Sequence, residues 1–386
     1  MRKKFLPFHE PWIGEEEKQE ILDTLESGWL TKGPKTVAFE NQFASFLGAR
    51  HAVGMNSCTA ALHLALVALG VKPGDEVITS TITFAATANV IEHCGARTVF
   101  VDVENDSLNM NPELLEKAIT PRTKVIIPVH FAGKMCRMDR IMQIAKKHNL
   151  AVVEDAAHAL EADYLDKPAG RWGNCGAFSF YATKNITTGE GGMLTTDDPA
   201  LAEHVAVLSQ HGLSRDAWKR YSKEGYQHWD IIEPGFKYHM ADLQAALGIH
   251  QLKKVNFFWE KRREIVLFYN EAFSDIKELR PVIVEGDGKH AFHLYVVRLD
   301  QTIASMDRDQ FLDRLQKEGI GVGVHFRAVH LHPYYRDKYR LPRGTFPVAE
   351  RASDEVLSLP LFPKMTLEDA KDVVQAVRKI LKYSGK

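Results

Sequence analysis

Seven short apolar runs punctuate residues 50 to 200, with helical patterns between them. The runs are HAVGM (51–55), DEVITS (75–80), TVFVDV (98–103), KVIIPVHF (124–131), LAVVED (150–155), AFSFYA (177–182) and GMLTT (192–196). Several are apolar almost throughout instead of alternating, the mark of strands covered on both faces. The pieces between them, such as TAALHLALVALG and MDRIMQIAKKHN, repeat apolar residues every three or four positions and end near Gly or Asn. This alternation predicts an α/β fold: a seven-stranded, mostly parallel sheet with helices on both faces. Such sheets bind ligands beyond the C-terminal ends of their strands.

After Pro199 the texture changes. A polar stretch, Leu213 to Glu233, precedes MADLQAALGIHQLKKVNFFWEKRREIVLFYNEAF, which reads as one or two long helices. AFHLYVVRL, GIGVGVHF and helical segments at 308–318 and 366–382 then predict a small α+β domain. A chain of 386 residues is long for a single core. We therefore divide it into a large domain, 1–255, and a small one, 256–386, with the boundary inside the long helical pattern. A formal charge of −1 lacks the basic excess that a nucleic-acid surface needs. The four cysteines, Cys58, Cys94, Cys136 and Cys175, are widely spaced, which suits reduced thiols better than a disulfide frame. MRKKFLPFHEPW has no apolar segment behind its basic start, and no run of eighteen apolar residues occurs. The expectation is a cytoplasmic protein with no membrane span.

Some glycine and histidine clusters carry little. TTGEGG lacks the Gly-Lys-Ser/Thr ending of a phosphate-binding loop. GIGVGVH (319–325) has no third glycine at dinucleotide spacing, and VHF reads on as a strand. HFRAVHLHPYY (325–335) has three histidines but no carboxylate or cysteine at ligand spacing, so it suits a pocket lining better than a metal site. Glu154 and Asp155 are adjacent on a predicted strand and so face opposite sides.

Three other pieces fall together at predicted strand ends. Ser57, Cys58 and Thr59 precede Ala60 at a helix start, where they would either cap the helix or seat a phosphate. VVEDAAHAL brings Asp155 to the end of an apolar strand, with His158 three residues on. Asp155 there would cap a helix or meet a buried cation. SFYATKNITTGEGGML ends a strand on Lys184, with Ser179 five residues before it. A phosphate seat, a carboxylate and a lysine are what pyridoxal 5′-phosphate requires: the amine for a Schiff base, the carboxylate for the pyridine nitrogen.

These residues lie in a chain that resembles the DegT/StrS-type nucleotide-sugar aminotransferases, which are pyridoxal-phosphate enzymes of the aspartate-aminotransferase fold (fold type I). The likeness runs through SGWLTKGP, GDEVITSTITFAATANVI, GARTVFVDVE, RTKVIIPVHFAGKMCRMDRI, VVEDAAHAL, SFYATKNITTGEGGMLTT and GFKYHMADLQAALGIHQL. The resemblance makes Lys184 the Schiff-base lysine, Asp155 the partner of the pyridine nitrogen, and His158 a residue packed near the ring. It gives Thr59, Ala60 and Ser179 to the phosphate and puts Phe84 in the cofactor pocket. It implies a homodimer with shared active sites, in which Lys237 enters from the neighbouring subunit. His239 departs from the Arg or Asn usual in that motif.

A branch of the family that carries histidine in place of the lysine dehydrates its sugar; this chain keeps Lys184. The implied reaction is a ping-pong transfer from L-glutamate to a nucleotide-linked keto sugar, with pyridoxamine 5′-phosphate as intermediate and 2-oxoglutarate as co-product. GIGVGVHFRAVHLHPYY and SLPLFPKMT are similar to enzymes aminating UDP-linked 4-keto sugars, those making 4-amino-4-deoxy-L-arabinose above all. Trp29, Tyr181, His325 and His330 are candidate substrate contacts, and interface packing would explain each equally well. The alternatives are another fold type I enzyme, such as a dehydratase or aldolase, and a non-enzymatic regulator.

Overall fold

The computed structural model describes residues 4–214, 230–282 and 286–382. Helices α1 (Glu15–Ser27) and α2 (Pro34–Leu47) precede the first strand, β1 (His51–Met55). Then come α3 (Cys58–Ala68), β2 (Glu76–Ser80), α4 (Ala85–His93), β3 (Arg97–Val101), α5 (Pro112–Ala118), β4 (Thr123–Ile127), α6 (Met138–His148) and β5 (Ala151–Asp155). A short hairpin, β6 (Asp163–Tyr164) and β7 (Lys167–Pro168), leads to β8 (Cys175–Ser179), β9 (Gly192–Thr196) and α7 (Pro199–Leu208).

The large sheet has the order β1-β9-β8-β5-β4-β2-β3. Only β9 runs antiparallel to its neighbours, so the seven predicted strands form the mostly parallel sheet expected of them. β2 and β9 are buried along their whole length, as strands covered on both faces must be. On α6 the buried residues Met138, Ile141, Ile144 and Ala145 make one stripe, and Asn149 ends the helix in the left-handed conformation.

The sequence overextends two strands. β8 stops at Ser179, not at residue 182, so Lys184 does not end a strand. Thr188 N–H and the Thr187 hydroxyl both donate to Phe180 O, at 2.9 and 3.1 Å, and this closes residues 181–187 into a loop. GIGVGVHF is likewise no strand: Ile320 bridges Leu6 and Gly323 bridges Ser358, each in isolation. A Cβ on Gly321 would lie 2.6 Å from Phe8 N and 2.8 Å from Leu6 O. The glycine lets the N-terminal arm lie directly on this segment in place of a neighbouring strand.

The long helical pattern is two helices, α8 (Asp242–Lys253) and α9 (Val255–Phe273). Then follow β10 (Leu279–Pro281), β11 (Tyr295–Leu299), α10 (Arg308–Lys317), α11 (Pro333–Tyr339), α12 (Pro347–Glu355), β12 (Val356–Leu359) and α13 (Leu367–Lys382). The last three strands form an antiparallel sheet, β10-β11-β12. Val255 and Phe258 of α9 join the core around Phe39, Phe178 and Ile126. Ile265, Tyr269 and Phe273 join a second core with Tyr295, Phe311 and Val377. Most of the polar stretch between Leu213 and Glu233 lies outside the described residues. No helix among the described residues is long and apolar enough to cross a membrane.

Candidate active site

A cavity of about 490 Å³ opens where β5 and β8 end and α3 begins. Ser57 caps α3, its Oγ accepting from Ala60 N–H at 3.1 Å. The amides of Cys58 and Thr59, in the first turn, have no acceptor within the helix and sit at its positive end. Cys58, Thr59 and Ser179 all line the cavity. The helix start lies so close to β9 that a Cβ on Gly192 would fall 2.4 Å from Ser57 C and 2.5 Å from Cys58 N. Ala60, expected at the phosphate, is not part of the cavity wall, and its amide is spent on the cap, so the two readings of this stretch divide between its residues.

Asp155 ends β5 and is buried, with each carboxylate oxygen accepting one hydrogen bond. Oδ2 accepts from Thr87 Oγ1 at 2.7 Å, and Oδ1 from Ala157 N–H at 3.2 Å. Burial pushes its carboxyl above the usual aspartate range, against the pull of those donors and of Lys184. A protonated ring nitrogen at the cavity side would restore the balance. Glu154 faces the other way, as adjacency on a strand requires. It accepts from Gly170, Trp172 and Gly173 N–H at 2.9, 2.6 and 2.8 Å and stands 3.0 Å from His130 Nε2.

Lys184 is carried by the loop after β8, its N–H donating to Tyr181 O at 2.9 Å. Its side chain lines the cavity, and burial lowers its pKa to about 8, with the negative charge of Asp155 opposing. A lysine so placed is a nucleophile and base near neutral pH.

His158 forms part of the wall. Its ring stacks at 5.8 Å on Phe326 and lies 4.3 Å from the ring of His293. Phe84, 64% exposed at the start of α4, lines the mouth with Tyr181, His325 and Phe8. His325 Nδ1 is 2.9 Å from Ser358 Oγ, and its ring stacks on Phe8 at 5.3 Å. Burial drops its pKa to about 4, so it is neutral.

Besides Ala60, three predicted residues lie outside the cavity wall. His330 is fully buried, 3.2 Å from Glu350 Oε1 and edge-on to Phe346, and does not line the cavity. Trp29 is exposed, and its Nε1 donates to Lys32 O at 3.0 Å. Lys237 is exposed and absent from the cavity of its own chain. His239, whose contact the sequence left open, has Nε2 3.3 Å from Thr31 Oγ1. Thr87, His293 and Phe326 were missed. Thr87 sits four residues after Thr83 within GDEVITSTITFAATANVI, while His293 and Phe326 come from distant loops with no local signature.

The DegT/DnrJ/EryC1/StrS aminotransferase family model matches residues 11–378. The chain belongs to this family. As a DegT/DnrJ/EryC1/StrS aminotransferase it is 52% identical, over 99% of its length and 98% of the relative's, to the spore coat polysaccharide biosynthesis protein SpsC of Bacillus subtilis. It is 40% identical, over 99% of both chains, to the UDP-4-amino-4-deoxy-L-arabinose–oxoglutarate aminotransferase of Shewanella sediminis. Among solved structures it resembles a putative sugar aminotransferase from Streptococcus pneumoniae in its pyridoxamine-phosphate form, at TM-score 0.92 and 34% identity, over 98% of this chain and 100% of that one. It also resembles Helicobacter pylori PseC, an aminotransferase involved in pseudoaminic acid biosynthesis, at TM-score 0.90 and 32% identity, over 99% of this chain and 100% of that one.

The aminotransferase is therefore a fold type I, pyridoxal-phosphate-dependent sugar aminotransferase. Its cavity fits that cofactor: free helix-start amides at one end, a buried carboxylate with lone pairs to spare, and an amine of lowered basicity.

Proposed function

We propose that the enzyme moves the amino group of L-glutamate to a nucleotide-linked keto sugar, specifically a UDP-linked 4-keto sugar, for aminosugar biosynthesis of the kind that serves surface polysaccharides such as lipopolysaccharide. The observation that carries this reading is the Lys184 amine, with its pKa of about 8, set in one cavity with the buried carboxylate of Asp155. The name of the Shewanella relative supports the substrates, since 2-oxoglutarate is glutamate without its amine.

In this reading Lys184 anchors the cofactor, Asp155 holds its ring nitrogen, and Cys58, Thr59 and Ser179 take its phosphate. The bound cofactor supplies an electron sink for the carbanion next to the amine. Lys184 Nζ takes the α-proton of the donor and, in the second half-reaction, gives a proton to the sugar carbon that bears the new amine. His158 packs beside the ring. Phe84 lines the cofactor pocket, and Tyr181 and His325 contact the sugar.

Lys184 is the only Lys or Arg among the described residues lining the cavity. A phosphate and a donor carboxylate together need further cations. This favours a homodimer in which Lys237 of each chain reaches the site of the other. We place the enzyme in the cytoplasm, where nucleotide sugars and glutamate are at hand.

The test is a panel of UDP-, GDP- and dTDP-linked keto sugars with L-glutamate, read as aminosugar and 2-oxoglutarate. Product from a UDP-4-keto sugar, together with loss of the visible cofactor band and of turnover in Lys184→Ala, is expected. Turnover retained in Lys184→Ala would overturn the site. Product only from another nucleotide or another keto position would overturn the substrate.

A further inference from the structure

Behind the cavity wall a chain of buried polar groups ends on His293. Arg262 of α9 donates from Nη2 to Glu161 Oε1 at 2.5 Å. The other oxygen of Glu161 accepts from Asn185 Nδ2, which also donates to Ala291 O at 3.1 Å. A carboxylate and a carbonyl can only accept, so these bonds fix the orientation of the Asn185 amide, with its oxygen toward His293. That oxygen is 2.8 Å from His293 Nδ1. An amide oxygen accepts, so the imidazole proton must be on Nδ1. The remaining nitrogen, Nε2, then carries a lone pair. The residue is 6% exposed and lines the cavity.

His158 is fixed in the opposite sense. Its Nδ1 accepts from Ala132 N–H at 3.3 Å, which leaves its proton on Nε2. The two rings, 4.3 Å between centroids and inclined by 40°, are thus held in complementary tautomers.

We propose that His293 is a positioning residue for transamination: the Arg262–Glu161–Asn185 chain locks it as the Nδ1–H tautomer, so that it braces His158 and presents an acceptor nitrogen to the wall beside Lys184. Asn185 directly follows Lys184, so the loop that delivers the amine also sets this imidazole. The titratable groups around His293 are His158, Lys184, His325 and His9, with Glu161 and Arg262 behind Asn185. Burial drives His293 and His158 well below the ordinary histidine range, so both stay neutral. The wall therefore adds no positive charge against the ring.

The proposal rests on the Lys184 site, but its first test does not need the cofactor. Nitrogen NMR of histidine-labelled, cofactor-free protein, assigned with His293→Gln, should show the His293 proton on Nδ1 in the wild type. Asn185→Ala should abolish that preference. A proton on Nε2 in the wild type would overturn the proposal.

The second test separates bracing from volume. His293→Gln can donate to Asn185 and still present an oxygen; His293→Phe fills the space without polar atoms. For His293→Phe we expect kcat to fall about tenfold with KM for both substrates within about twofold, and a shift in the pH at which the visible cofactor band changes. His293→Gln should recover most of both. Equal behaviour of the two variants would reduce His293 to packing and overturn the proposal. Failure of the site itself reads out separately, as turnover retained in Lys184→Ala.

Discussion

Thr87 Oγ1 stands 2.7 Å from Asp155 Oδ2, and Thr83 Oγ1 stands 2.7 Å from Thr87 Oγ1. The carboxylate takes the Thr87 proton, so Thr83 is the donor to Thr87. One turn at the start of α4 thus holds the carboxylate that ends β5. Thr87→Val keeps the shape and removes the bond. Hydrogen bonds to charged groups contribute about 1.5–3 kcal/mol, so kcat/KM should fall roughly 10- to 100-fold. Losing that donor raises the Asp155 pKa further, and a carboxylate is lost as pH falls through its pKa. The acid limb of the pH–rate profile should therefore move to higher pH, measurable by steady-state kinetics. An unchanged profile would mean Asp155 does not act as a carboxylate in the reaction.

The Lys184 amine costs the cofactor-free fold stability while it is charged. Its pKa falls from 10.5 to about 8 on burial. Between those values the unfolded chain binds more protons than the folded one, so this group makes stability rise with pH across that window. Lys184→Met lacks the effect. The variant should be more stable than wild type below pH 8, and the gap should close toward pH 10.5. Denaturant titrations of both cofactor-free proteins across that range check it; a constant gap contradicts the burial of the charge.

Gly192→Ala should strike the phosphate end of the cavity. Its Cβ would meet the Ser57–Cys58 backbone at 2.4–2.5 Å, and backbone cannot swing aside as a flexible side chain can. Overpacking of this kind costs about 1–3 kcal/mol. The helix start should lift off β9, weakening cofactor affinity more than it slows turnover of the loaded enzyme. Thermal melts and a cofactor titration read the two effects apart. Wild-type affinity in a destabilised variant would remove α3 from the phosphate site.

His330 should prove structural. It is buried against Phe346 with Glu350 as partner, and Glu350 also accepts from Gly344 and Phe346 N–H at 2.6 and 3.0 Å. His330→Ala leaves that carboxylate a donor short, a loss of about 1–3 kcal/mol, while KM for the sugar stays near wild type. A large rise in KM would return His330 to the substrate site.

The sheet was legible because both-face burial leaves an unmistakable pattern of short apolar runs, and Asp155 because it ends one of them. That Lys184, Thr59 and Ser179 share one cavity was legible through order along the chain and through family resemblance. Local pattern could not say that β8 stops at Ser179, since the cause is a pair of threonine bonds to Phe180 O. Nor could it tell His325 from His330, five residues apart in one motif, because one faces the cavity and the other faces Glu350. His293 was invisible for the same reason. Its role depends on Asn185, Glu161 and Arg262, which only the tertiary fold brings together.

The cavity is walled by Phe8, near the start of the chain, and by His325 and Phe326, near its end. The late segment is fixed in turn by Ser358 of β12, which exchanges backbone hydrogen bonds with Gly323 and stands beside His325. During synthesis, the large sheet and Lys184 emerge from the ribosome long before β12 does. A nascent chain therefore carries Lys184 in a half-built, solvent-open site where its amine keeps the ordinary lysine basicity, and the burial that lowers its pKa arrives only with the segments that complete the wall.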